Sequence, residues 1–199
     1  KTVNELEAVI KLTYDYWFVQ FDFPDAKGNP YKFSGGEIIY NQEFKREIPK
    51  GWEIEKLGDI IPTTLGGTPL SDNKNNWANG TISWLSSGEI EKFPILKSEK
   101  KITHDGISTS AAKVLPKGSV LISIVRHLRV SILAIDSSFN QSVVGLQEKE
   151  KLKRYFLYPW LCREIPHLMS LRTGAQQPHI NKKIVDDLVL VIPPGNLLD

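Results

Sequence analysis

Pro116-Lys117-Gly118-Ser119-Val120-Leu121-Ile122-Ser123-Ile124-Val125-Arg126-His127-Leu128-Arg129-Val130-Ser131-Ile132-Leu133-Ala134-Ile135 carries the strongest β signal in the chain. Pro116-Lys117-Gly118 is a turn opener. Ser119–Val125 is rich in β-branched residues and reads as a strand, and Val130–Ile135 reads as a second. Arg126-His127-Leu128-Arg129 then sits at a hairpin tip, from which cationic side chains project. Outward from this hairpin, short β-like stretches alternate with turns at Trp52–Leu57, Ile82–Leu85, Val143–Leu146 and Val189–Ile192. Lys153–Leu171 is helical in pattern, but Pro159 and Pro166 predict a kink or two shorter helices. Asn181 predicts a cap for a short helix over Lys182–Leu188. At the start, Val3, Leu6, Ile10 and Trp17 share a face at heptad-like spacing, so Val3–Phe18 reads as an amphipathic helix. Phe23-Pro24-Asp25 and Lys27-Gly28-Asn29-Pro30 break it, and residues 25–51 read as a connector.

The chain has 199 residues, 41% hydrophobic and 24% charged, which fits a globular protein with a core and argues against disorder. Its longest apolar runs are too short to span a membrane, and the first residues lack the features of a signal peptide. Cys162 is the single cysteine, so no internal disulfide forms, and the cytoplasm is the expected compartment. The triplets Asn79-Gly80-Thr81 and Asn140-Gln141-Ser142 are then chance matches to a glycosylation site. The first residue is not Met, which suggests a fragment or a processed product. Net charge is +2, distributed as −3 over residues 1–100 and +5 over residues 101–199. A basic second half is compatible with a phosphate-facing surface, but charge alone favours an ordinary solvated asymmetry.

Catalytic signatures are missing. The sequence has no GxxxxGK[ST], GxGxxG or GxSxG string, and no Asn-Pro-Pro-aromatic tetrapeptide of amino-methyltransferases. His104, His127, His167 and His179 lack metal-ligand spacing. Glu89, Glu91 and Lys92 form an E-x-E-K string of the kind found in nuclease sites, with no second acidic cluster to complete it.

Recognition chemistry is better represented. Leu65-Gly66-Gly67-Thr68-Pro69 is a tight turn exposing a hydroxyl, and Ser86-Ser87-Gly88 follows a strand. Thr173-Gly174-Ala175-Gln176-Gln177-Pro178-His179-Ile180-Asn181-Lys182-Lys183 is a polar loop entering a helix with two lysines in its first turn. Arg matches guanine O6/N7 and Gln matches adenine N6/N7, while Ser, Thr and Lys hold phosphates. Lysines at a helix start oppose the dipole, and a bound phosphate relieves that conflict. Read without such a ligand, these are surface loops with capping residues.

Taken together, these segments resemble the specificity (S) subunits of type I restriction–modification enzymes. Tyr14-Asp15-Tyr16-Trp17-Phe18-Val19-Gln20-Phe21-Asp22-Phe23-Pro24 resembles the close of a conserved helical region, and Ile48-Pro49-Lys50-Gly51-Trp52 the entry to a target recognition domain. Gly66–Pro69, Ile82–Ile90, Leu115–Ile124, Asn140-Gln141 and Thr173–Lys183 follow in family order. The resemblance implies an α+β fold: a compact target recognition domain with a twisted, mainly antiparallel β-sheet and a few short helices, preceded by the end of a long coiled-coil-like helix. The implied division is 1–24 spacer helix, 25–50 connector and 51–195 recognition domain.

By the same resemblance the chain is non-catalytic. It reads one half of a split double-stranded DNA target, and long helices dock methyltransferase (M) subunits. Those subunits bind S-adenosylmethionine and methylate adenine, while a restriction (R) subunit uses ATP and Mg to cleave. The chain itself carries no cofactor or metal and has no membrane partner. Arg126, His127, Arg129, Gln176 and Gln177 are the candidates for base or groove contact, and Ser86, Ser87, Thr173, Lys182 and Lys183 for phosphate. Tyr14, Trp17 and Phe18 are the candidates for partner docking. A single recognition domain with clipped helices suggests a truncated second recognition domain. The alternatives are a protein-docking module of the same assembly and a self-pairing half subunit.

Overall fold

The structure, a computed structural model, describes residues 2–149, 152–174, 176 and 178–197. The chain divides into two units, residues 1–56 with 189–199 and residues 57–188. Elements are numbered in chain order.

In the first unit, helix α1 (Thr2–Tyr14) forms where the sequence lacks Gly and Pro, and it widens into a π-helical turn over Asp15–Val19. Phe21, in the left-handed region at φ +64°, follows that turn. The aromatic run then folds on itself. Phe21, Phe23, Ile48 and Trp52 are buried together, with Trp17, Phe18 and Tyr31 packed against them. Phe21 meets Trp52 edge-on at 5.5 Å, and Phe23 stacks on Tyr31 at 4.6 Å, both favourable ring geometries. The stretch read as a connector holds a hairpin: β1 (Ile38–Asn41) pairs antiparallel with β2 (Arg46–Pro49). Strand β3 (Glu53–Lys56) pairs antiparallel with β11 (Val189–Ile192), with Lys56 opposite Val189.

The second unit begins with the helical turn α2 (Leu57–Ile60) and β4 (Thr63–Leu65). It continues through β5 (Ile82–Leu85), β6 (Lys100–Ile102), α3 (His104–Ser108), β7 (Val120–Ser123) and β8 (Val130–Ile132). It ends with β9 (Ser137–Phe139), β10 (Val143–Leu146), α4 (Arg154–Ser170) and α5 (Lys182–Asp186). One sheet has the order β4-β10-β7-β8, all antiparallel, and a second has β6-β5-β9, in which β5 and β9 run parallel. The fold is α+β and mainly antiparallel, as expected, but its strands form several small sheets instead of one.

Central strands β7 and β10 are buried along their whole length, which is why both read as continuous apolar runs. Gly118, at φ +91°, makes the turn into β7, and Lys117 N–H donates to Asp136 Oδ1 at 2.8 Å. Leu85, Ile90, Ile95, Leu115, Leu121, Leu133, Phe139 and Val143 form the core between the sheets' strands.

The prolines of α4 do not divide it. One helix runs from Arg154 to Ser170 through Pro159 and Pro166. Each proline removes a ladder donor, but Phe156 through Leu161 are all buried, and Tyr158 stacks on Phe93 at 4.5 Å. Packing on consecutive positions outweighs the lost hydrogen bonds.

Candidate nucleic-acid interface

Ser123, at the end of β7, builds the hairpin tip. It is buried, its Oγ donates to the His127 carbonyl at 2.7 Å, and the same Oγ accepts the Arg129 N–H at 2.9 Å. Leu128 is buried beneath the tip, while Arg126 and His127 are exposed. The loop thus points its apolar residue inward and its two polar residues outward.

Arg126 has φ +56°, a left-handed conformation that costs a non-glycine residue about 1–2 kcal/mol. Its backbone is tied to residues 172–178 on both sides. Its N–H donates to the Pro178 carbonyl at 2.9 Å, and its carbonyl accepts Arg172 Nη1 at 3.1 Å. Arg172 Nε donates to the Met169 carbonyl at 3.1 Å, at the C-terminal end of α4. Nearby, Thr173 and His179 exchange two backbone hydrogen bonds of 2.9 Å, and Ile180 N–H donates to the Ile124 carbonyl at 2.9 Å. The polar loop is therefore stitched to the end of β7.

Arg126, His127, Arg172, Gln176 and Pro178 line an open concavity of about 550 Å³. Among the described residues no carboxylate lines it, and none of its cationic side chains is in an ion pair. Two guanidinium forks, an imidazole and an amide share one open concave surface. That donor-rich set suits base edges and phosphate oxygens. Three of the five residues expected to contact bases, Arg126, His127 and Gln176, come together here. Gln177 lies outside the described residues. Arg129 turns elsewhere, with Nη1 3.4 Å from Glu91 Oε2. Arg172 was missed; its only sequence signal is a lone cation between α4 and the polar loop.

The residues expected at phosphates are dispersed. Ser86 N–H and Oγ both donate to Glu89 Oε2, at 2.8 and 3.0 Å, and Ser87 is half-buried. Ser86 is thus engaged in holding the 3-10 turn Ser87–Glu91. Thr173 is exposed at the loop entry. Asn181 Oδ1 caps α5, accepting the Ile184 N–H at 3.0 Å. Lys182 and Lys183 bond Asp186 and Asp187 one turn later, at 2.6 and 2.8 Å. The hydrogen bond and charge of Asp187 hold the Lys183 ammonium above the usual lysine range. Both lysines therefore already have anionic partners, Asp186 in α5 and Asp187 at its C-cap.

Other sequence signals have structural partners. Glu89 is buried, and its Oε1 accepts the Glu99 N–H at 2.8 Å; Lys92 Nζ lies 3.0 Å from Glu99 Oε1. These contacts account for the E-x-E-K string. Gly66 and Gly67 are close-approach residues: a Cβ on Gly66 would lie 2.2 Å from the Asn140 carbonyl oxygen, and one on Gly67 2.4 Å from Ala111. Trp84 Nε1 donates to the Gly67 carbonyl at 3.0 Å, and Thr68 and Gln141 hydrogen-bond through their side chains. The aromatic residues expected to dock a partner pack within their own unit: Tyr14 is buried, and Trp17 and Phe18 are half-buried against its aromatic cluster. Among the described residues, no group of three or more His, Cys, Asp or Glu could hold a metal ion, and no helix is long and apolar enough to cross a membrane.

Comparison with known proteins adds a family. The type I restriction enzyme MjaIX specificity subunit of Methanocaldococcus jannaschii is 24% identical over 204 aligned residues, covering all of this chain and 45% of the relative. The EcoR124I/EcoR124II specificity subunit of Escherichia coli is 24% identical over 152 residues, covering 72% of this chain and 37% of the relative. The chain thus spans less than half the length of these relatives. Among solved structures, the HsdS subunit from Thermoanaerobacter tengcongensis aligns over 97% of this chain and 40% of its own, with TM-score 0.60 and 17% identity. A chain from a structure of the type I R-M system aligns over 97% of this chain and 43% of its own, with TM-score 0.59 and 18% identity. A family model described as the type I restriction modification DNA specificity domain matches residues 49–196. With most of its length inside that match, the chain belongs to the family of type I restriction–modification DNA specificity domains.

Proposed function

We propose that this chain reads one half of a split double-stranded DNA target and so directs adenine methylation and cleavage performed by partner M and R subunits. The observation that carries the reading is the concavity lined by Arg126, His127, Arg172 and Gln176. Exposed Arg126 and half-buried Arg172 bring positive charge with no carboxylate partner among the described residues, and a forked donor such as the Arg126 guanidinium discriminates base edges. S-adenosylmethionine, ATP and Mg belong to the partners in this reading, and the chain contributes recognition alone. Lys183, whose side chain is 81% exposed, supplies a phosphate contact by exchanging Asp187 for DNA, since exposed ion pairs are weak.

The test is selection of a randomised duplex pool by the purified chain, followed by gel shift. Enrichment of a defined motif supports the reading, and a pool that stays random after repeated selection sinks it. A second reading, docking within the same assembly or self-pairing, is favoured by α1. Leu6, Val9 and Leu12 are 59%, 58% and 71% exposed, which leaves apolar side chains on that helix facing water. Co-purification with M subunits that Leu6→Lys and Leu12→Lys abolish, with DNA selection unaffected, assigns docking to α1.

A further inference from the structure

We infer that Arg172 is a positioning residue that fixes the base pair Arg126 discriminates, by clamping Arg126 in its left-handed conformation. The inference rests on the DNA-reading proposal above. Glycine is the residue that adopts such a φ without strain, so the turn alone gives no reason for an arginine. A non-glycine residue held there points to a side chain used at that place. The clamp is visible on both sides of the residue. Pro178 holds the Arg126 N–H, and Arg172 Nη1 holds the Arg126 carbonyl at 3.1 Å. Arg172 Nε is simultaneously committed to the Met169 carbonyl. One planar guanidinium thus joins the end of α4 to the hairpin tip as a rigid strut.

Lysine cannot replace this strut. Its ammonium is a point charge on a flexible stem and lacks the fixed fork that meets two carbonyls in set directions. Without the strut, Arg126 relaxes toward the right-handed region and its fork leaves the alignment that a bidentate base contact requires. The positive charge of the concavity survives the same change. Arg172→Lys therefore separates positioning from electrostatics.

The experiment uses the duplex enriched by the wild-type chain and a scrambled duplex of the same composition. Affinity ratio and salt slope are measured for wild type, Arg172→Lys, Arg126→Ala and the double variant. The expected result is a roughly tenfold loss of the ratio in Arg172→Lys, at the same base pair that Arg126→Ala relaxes. The salt slope stays unchanged, and the double variant discriminates no worse than Arg126→Ala. Arg172→Gln, which keeps one donor but neither fork nor charge, must relax that base pair too, and it carries the test if Arg172→Lys loses its cooperative melting. A retained ratio, relaxation of a different base pair, or an equal loss on both duplexes overturns the inference. A wild-type chain that enriches no motif shows instead that the DNA-reading proposal has failed, and the inference falls with it.

Discussion

Two basic regions of the second unit look alike in sequence and differ in structure. At the hairpin tip, Arg126, His127 and Arg172 face a shared concavity and have no carboxylate partner among the described residues. At the start of α5, Lys182 and Lys183 are each neutralised one turn later by Asp186 and Asp187. Charge type says little about availability; the partners of each charge decide it. The first region carries positive charge that no carboxylate among the described residues offsets, although the Arg172 guanidinium donates to the Met169 and Arg126 carbonyls. The second is a helix that balances its own cations, which offsets their unfavourable position at its N-terminus.

The largest effect separates a third loop from both regions. Gly66→Ala must push the Asn140 and Phe139 carbonyls aside. It lowers stability by about 3 kcal/mol or more, read as a fall in the urea midpoint. Normal stability in this variant would show that the Gly66-Gly67 turn is free to face a ligand. Next, Arg126→Ala relaxes discrimination at one base pair by about 1–3 kcal/mol, measured on duplexes varied at each position. Arg126→Gly relaxes it equally without lowering the unfolding midpoint, because glycine accepts the positive φ. Equal losses on selected and random duplexes would make Arg126 a phosphate contact and erase the contrast between the regions.

Ser123→Ala removes both side-chain hydrogen bonds that fold the tip. It costs about 1–2 kcal/mol of stability and blurs the selected motif, as renewed selection would reveal. A smaller loss follows for the Lys182→Ala and Lys183→Ala double variant. It weakens binding similarly on all duplexes and reduces the salt slope by about one unit for each phosphate that a lysine had neutralised. An unchanged slope confines these lysines to stabilising α5. The smallest effect is in titration. Asp187 raises the Lys183 value, so the pair's contribution is complete below the ordinary lysine value and is lost as pH rises through the elevated one. Asp187→Asn returns the Lys183 titration, followed by NMR of its side chain, to the usual range.

Sequence and structure agree where the signal is local. Ile82–Leu85, Val143–Leu146 and Val189–Ile192 are strands at the expected residues, because each is a short, largely apolar run with turn formers or polar residues close by in the sequence. Asn181 caps α5 as its side-chain chemistry demands. Strand β9 escaped because Ser137 and Ser138 carry no apolar pattern; both are buried through pairing with β5. The hairpin β1–β2 escaped because its strands are short and β2, Arg46–Pro49, pairs two exposed charged residues with a buried Ile-Pro, which leaves no alternating pattern. In the candidate site, residue types were enough to single out Arg126, His127 and Gln176. Arg172 was not legible, because its role depends on a carbonyl 46 residues away in the chain. The pairing of Lys182 and Lys183 with Asp186 and Asp187 was written in the four-residue spacing, and it signals neutralisation more directly than it signals phosphate.

The β3–β11 ladder has a consequence beyond stability. Its register sets Lys56 opposite Val189, and the next residues, Leu57 and Leu188, are joined by a 2.8 Å backbone hydrogen bond. All of residues 57–188 therefore leave and re-enter the ladder through one narrow doorway. A segment whose two ends meet behaves as a graft: a replacement of different length or sequence has only to bring its own ends together there. Segments of other sequence fit onto this stem without redrawing the stem itself.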